Sequence, residues 1–431
     1  MISTETVPEN NVDSQGLNTT TGGAGETLAK GLFMSRNYSP KNFLRKTPNA
    51  LLKQYFQESQ YPVEINWDKL AETEIDPIYQ AINILPEKNQ IQIEDQFRQI
   101  NEMACDKGIQ CLREEGESSF HNLKLADLFR EMNNPYERAF WMLLNHSEVF
   151  SIAESLFRMD NVGTWKHCTV FSGLTPKIEA EDLEKLADYI STFYKKQGRG
   201  KHCQVDNYLR QNPERHCYFA YPEDYAKTEL EYNKEGNLEN RVIRPAFEVI
   251  FVYRPESGIL ETNARGKADD VKMLQEAFCQ TILGLDKLPN QNGNTFDLEP
   301  LKTNFAFPIQ PQDGIKKVYL RMLQLKLPGG KRRRITFEED SSGVRQPIYT
   351  LIETALNQKN IPMTEVEAIK AKIQFQFEDI DGKKGKTVLF EIAAPDRCTL
   401  KDAPLHQIAK KYLEEWKLLK KAEIAKPDKA A

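Results

Sequence analysis

Near Gly163 the spacing of apolar residues changes from three-to-four to two, and no single regular element satisfies both spacings. A 3.6-residue period lines one side of a helix, whereas a two-residue period lines one face of a strand. Upstream, "NQIQIEDQFRQINEMACDKGIQCL" sets Ile93, Phe97, Ile100, Ala104 and Ile109 on one apolar stripe, with charges on the far side. "LKLADLFREM" and "NPYERAFWMLLNHSEVFSIAESLFRM" continue the pattern, with Pro135 close to a helix start. A helical domain is predicted over 27–160, opened by a basic arm.

Downstream, "KHCTVFSGL" and "RHCYFAY" read as strands, and "TPKIEAEDLEKLADYISTFYKK" as a helix opened by Thr175 and Pro176. "PAFEVIFVY" is apolar on both faces, the mark of an inner strand. "RPESG" turns it back into "ILETNA", and a helix follows in "ADDVKMLQEAFCQTILGL", closed by Gly284. The order of hairpin then helix recurs twice. "KKVYLRMLQLKL" returns as "RRRITFEE" before a helix at "VRQPIYTLIETALNQ", and "VEAIKAKIQFQFED" returns as "TVLFEIA" before "PLHQIAKKYLEEWKLLKKA".

The fold class predicted is α+β: an N-terminal helical domain followed by antiparallel sheets built from repeated β-hairpin–helix (ββα) units. The last two units should share one four-stranded sheet under two helices. The divisions expected are a disordered tail over 1–26, the helical domain over 27–160, a middle α+β domain over 161–288, a linker over 289–302, a C-terminal ββαββα domain over 303–424, and a frayed tail over 425–431. The linker rests on the Asn, Gly and Pro content of "LDKLPNQNGNTFDLEPLK".

A chain of 431 residues exceeds what one core organises, so several are expected. No apolar run approaches the roughly 18 residues of a membrane span, and the N-terminus lacks the cationic and apolar segments of a signal peptide. These features predict a soluble, cytoplasmic protein without membrane contact, its seven cysteines free thiols.

A net charge of −5 opposes polyanion binding over the whole surface, so any such binding must be local. Residues 27–56 hold six Lys or Arg and no acid, interleaved with Phe33, Tyr38, Phe43, Tyr55 and Phe56. That mix suits phosphate and base contacts, but aromatics so placed more often dock a segment onto its own core.

The hairpin turns carry the sharper hypothesis. "PGGKRRR" places Lys331, Arg332, Arg333 and Arg334 at one turn, and "DGKKGK" places Lys383, Lys384 and Lys386 at the next. If alternate turns share an edge they form one basic rim, which Lys370 and Lys372 extend on the polar face of "AIKAKIQFQF". Arg as a fork and Lys as a point charge suit a phosphate backbone. The function expected is a non-catalytic nucleic-acid-binding subunit, contacting DNA or RNA and other protein subunits, without cofactor. An accessory system directed against foreign DNA is compatible with the lack of housekeeping motifs.

Two alternatives compete. A metal-dependent nuclease or other hydrolase would centre on the middle sheet, where Glu248 interrupts an apolar strand near Asp206, Glu223, Asp224 and Glu261. An assembly adaptor would bind only proteins. Three His-Cys pairs, at 167, 202 and 216, exceed the chance expectation of about 0.1 for this composition. Neighbours on a strand face opposite ways, so each pair offers one ligand to a given face, and no CxxC or HxxxH supplies a clip. No metal is expected; each pair should mark a strand with Cys inward and His outward.

Overall fold

A computed structural model describes residues 37–233, 235–289, 295–329, 333–339, 348–357, 361–379, 382, 384–401, 403–420 and 423–424. Eight helices come first: α1 (Pro40–Leu44), α2 (Asn49–Glu58), α3 (Asp76–Asn83), α4 (Glu87–Met103), α5 (Asp106–Gly116), α6 (Leu125–Glu131), α7 (Pro135–Asn145) and α8 (Ser147–Asp160). The apolar stripe of α4 buries Ile93, Phe97 and Ile100. It stops at Ala104 because Cys105 takes extended backbone and its sulfur accepts from Gly108 N, capping α5. Pro135 opens α7, whose preceding Asn134 side chain accepts from Tyr136 N and Glu137 N.

The described part of the basic arm docks onto this core. Phe43, Tyr55 and Phe56 are buried, and Phe43 stacks on Phe97 with ring centroids 4.5 Å apart. Lys41 and Lys53 pair with Asp76 and Asp68. Phe33, with the tail over 1–26, lies outside the described residues.

The remaining elements are β1 (Trp165–Thr169), β2 (Phe171–Ser172), α9 (Ala180–Lys195), β3 (Val205–Gln211), β4 (Glu214–Ala220), β5 (Lys227–Tyr232), β6 (Leu238–Ile243), β7 (Val249–Arg254), β8 (Ile259–Asn263), α10 (Ala268–Thr281), β9 (Ile315–Lys326), β10 (Arg334–Glu338), α11 (Ile348–Asn357), β11 (Glu367–Phe377), β12 (Thr387–Ala393), β13 (Arg397–Cys398), α12 (Pro404–Glu415) and β14 (Glu423–Ile424). The protein is α+β. The helix expected from Thr175 and Pro176 starts later, at Ala180, where Glu181 and Asp182 occupy the first turn.

One sheet runs β10-β9-β11-β12-β13-β1-β8-β7-β4-β3, all neighbours antiparallel. β7 is inner and buried at every position. β10-β9-β11-β12 is the four-stranded group expected for the C-terminal part. Three antiparallel pairs, β7–β8, β9–β10 and β11–β12, precede a helix in the chain, but they are not interchangeable units. β13 intervenes before α12, and β9 has 12 residues where β7 has 6.

The β13–β1 pairing carries this sheet across the boundary expected at 289–302. The described part of that segment is no free linker, because Phe296, Leu298 and Leu301 are buried in the C-terminal core. Its backbone is held too: Phe296 N donates to Pro395 O, and Asp297 N to Leu418 O. Composition marked a loop here, but the loop's apolar residues pack inward. Residues 290–294 and the tail 425–431 lie outside the described residues.

Register defines the sheet's two faces. Paired residues share a face, so Phe337, Leu323, Ala371, Ile392, Cys398 and Trp165 lie on one side from β10 to β1. On that side α11 and α12 cover the C-terminal strands, and α8, through Leu156 and Met159, covers Cys217, Phe219, Ile250 and Val252. On the other side α9 and α10 cover only the middle strands. The opposite face of β9, β11 and β12 stays half exposed. No helix among the described residues is long and apolar enough to cross a membrane.

Candidate functional site

The alternation of "AIKAKIQFQF" places its side chains as expected: Ala371, Ile373, Phe375 and Phe377 are buried, while Lys370 and Lys372 stand on the polar face. Three lysines there are paired with acids, while exposed Lys317, opposite Gln376, lies over the Tyr319 ring. Lys370 meets Glu391 at 2.7 Å, Lys372 meets Glu338 at 2.8 Å, and Lys326 meets Glu367 at 2.6 Å. Arg321 pairs with Glu339 on the same face. This is a mixed-sign surface and not a cationic groove.

The turns do not meet. β9 and β11 are antiparallel neighbours, with Lys326 opposite Glu367 at one end and Ile315 opposite Phe377 at the other. The β9–β10 turn leaves from the first end and the β11–β12 turn from the second. At ~3.3 Å per residue the strands between set them roughly 30 Å apart. The single basic rim is therefore corrected to two separate turns, the result of pairing the units through β9 and β11. Lys331, Arg332 and Lys383 lie outside the described residues.

The two turns also differ electrically. Arg333 and Arg334 are exposed. Arg333 donates to Pro328 O at 3.4 Å, and neither arginine has an ion-paired acid among the described residues. The β11–β12 turn is organised around Asp379, which accepts from Gly385 N at 2.7 Å and lies 3.6 Å from Lys316. The Gly385 N–H, then Lys316 and Lys384, hold the Asp379 carboxyl below its ordinary range. Lys384 and Lys386 are exposed beside this acid.

The acids proposed for a nuclease form no metal-holding group of three among the described residues. Glu248 is half-buried 3.8 Å from Arg158 of α8, and desolvation, only partly offset by Arg158, pushes its carboxyl up. Asp224 pairs with Arg199 at 2.9 Å. Among the described residues no three His, Cys, Asp or Glu side chains form a metal-holding group. The His-Cys pairs follow three different rules. Cys217 is buried with His216 outward toward Glu214, whereas His167 is buried with Cys168 half-buried, reversing the expectation. His202 and Cys203 precede β3 and lie on no strand.

His167 reverses because Glu261 faces it across the β1–β8 ladder. Glu261 Oε1 lies 3.0 Å from His167 Nε2 and accepts from Lys410 Nζ at 2.6 Å, while Oε2 accepts from Arg254 Nη2 at 2.9 Å and Nε at 3.2 Å. Burial alone would push this carboxyl up, but Arg254, then Lys410 and His167, outweigh burial and hold it well below the usual range. One carboxylate thus ties β1, β7 and β8 to α12. The spacing of Lys410 from Glu261 in the chain gave no sign of this cluster.

A cleft of about 560 Å³ opens beside the cluster, between α12 and the turns after β3 and β7. Gln407, Lys410, Lys411 and Glu414 recur at helical spacing and turn a polar side of α12 into it. Ser257 Oγ and His167 Nδ1 are buried at its wall without a hydrogen-bond partner among the described residues. The cleft is lined by four Glu and four Lys or Arg side chains beside His167, so it has no marked preference of sign.

No protein-family model matches the chain, and no curated protein is significantly similar to it.

Proposed function

We propose that this protein is a binding subunit that grips the phosphate backbone of DNA or RNA through the β9–β10 turn alone. The observation that carries this reading is the contrast among the basic side chains. Lys370, Lys372 and Lys326 are matched by carboxylates, and the other turn holds Asp379, whereas Arg333 and Arg334 sit side by side, exposed, with no ion-paired acid among the described residues. Lys331 and Arg332 precede them in the same stretch, giving four consecutive cations. Guanidinium groups fork onto phosphate oxygens, and a net-acidic molecule limits the contact to this turn.

Four cations bound to a duplex give a slope of log affinity against log salt no steeper than about −4. Fluorescence anisotropy with a labelled oligonucleotide and the full chain measures it. Binding that weakens as salt rises, and falls at least tenfold in the Arg333→Glu/Arg334→Glu variant, is expected. Affinity unchanged in that variant contradicts the reading.

A further inference from the structure

We propose that the β5–β6 ribbon is a self-association arm, and that its partner is the same ribbon of a second copy of this chain. The ribbon is inserted between β4 and β7, which are neighbours in the main sheet, and forms a separate two-stranded sheet. Its base is fixed by the Glu223–Ala246 bridge, by Phe247 N donating to Pro222 O and by Asp224 N donating to Pro245 O. At its tip the Asn233 side chain accepts from Glu235 N and Asn237 N, and Gly236 takes a left-handed φ of 78°.

The ribbon's two faces differ. The pairs Lys227–Ile243, Glu229–Arg241 and Glu231–Glu239 form one face, where Lys227 bonds Glu229 and Arg241 bonds Glu231. The pairs Thr228–Val242, Leu230–Asn240 and Tyr232–Leu238 form the other. On that face Leu230, Tyr232, Leu238 and Val242 are 68%, 72%, 57% and 69% exposed. A two-stranded hairpin is marginal in water by itself, and a contiguous apolar face on one marks a surface that another body covers.

The shape of the face selects a second copy. It tapers from bulky Tyr232 and Leu238 at the turn, through Leu230 and Asn240, to small Thr228 and Val242 at the base. Two ribbons laid face to face about a two-fold axis, tip against base, set the bulky pair of each on the small pair of the other. Leu230 and Asn240 then meet their own copies, and the two central amides can bond each other. A two-fold interface of this kind is self-complementary, as closed homodimers require.

Charge does not oppose the contact, because residues 227–243 hold three basic and four acidic side chains. The apolar face of two ribbons removes on the order of 1,000 Å² from water, the low end of specific interfaces, so a micromolar dimer is expected.

Sedimentation velocity of the full chain over roughly 1–200 µM brackets that affinity. The mass should rise from one chain to two with concentration, and the Leu230→Asp/Val242→Asp variant should stay at one. Both positions are exposed, so thermal unfolding of the variant should match the parent. In an independent arm, Asn240→Cys should form a disulfide-linked dimer on mild oxidation. A parent chain that remains monomeric throughout, a dimer that persists in the double variant, or an Asn240→Cys chain that fails to cross-link overturns the proposal.

Discussion

Glu261 is the residue on which the middle and C-terminal strands converge, because its two oxygens serve β1, β7 and α12 at once. Replacing it with Gln leaves Arg254 and Lys410 without their carboxylate in a buried place, and breaking such a set from one side costs about 3–5 kcal/mol. Glu261→Gln should therefore shift denaturant unfolding at neutral pH by that amount. The pH dependence follows from the sign of the shift. A carboxyl held below its unfolded value contributes stability above the unfolded value and loses it as pH falls through the folded one. The parent should lose this contribution only in strong acid, and an acid limb identical in the Glu261→Gln variant would contradict it. The sequence exposed Glu261 as one acid among several. Its role was hidden because it depends on Lys410, 149 positions away.

Among the elements, the legible ones were those whose period is strong and local. "AIKAKIQFQF" read correctly as a half-buried strand, and of "PAFEVIFVY" the part from Val249 is a fully buried one, since alternation or its absence is written in consecutive residues. The β5–β6 ribbon was missed. Its signal was present as alternation in "TELEY" and "LENRVI" around an Asn- and Gly-bearing turn, but outward-facing apolar residues do not form a core pattern. The segment 295–302 failed in the opposite way, the Asn and Gly of the preceding residues 290–294 masking Phe296, Leu298 and Leu301. Burial of each such side chain contributes roughly 1.5–3 kcal/mol. Exchanging residues 295–301 for a Gly-Ser stretch of equal length should thus destabilise the protein by about 5 kcal/mol or more, read as a lower denaturation midpoint. An unchanged midpoint would show that the segment is only a connector.

At the scale of the whole molecule, the ten-stranded sheet places the cleft and the basic turns, and the β5–β6 ribbon stands apart from it as a separate sheet. The larger sheet's middle strands are covered on both sides, by α8 and by α9 with α10, while its C-terminal strands keep one polar face on which Lys326, Lys370 and Lys372 are matched by acids. Arg210 of β3 fastens the helical domain to the edge of this sheet by bonding Asp160 at 2.8 Å and Glu114 at 2.6 Å. Strand content was readable from the chain, but the order of strands was not, because it depends on which edges pair at long range. That order separates the two basic turns: with β9 beside β11 they leave from opposite ends of the strands, and the proposed grip is assigned to one of them. The most direct measurement is the distance between spin labels placed at positions 334 and 384 of the full chain. The account predicts a separation of roughly 30 Å or more, from ten residue steps of extended strand. A distance of about 15 Å would restore a shared rim and contradict the pairing on which the one-turn grip depends.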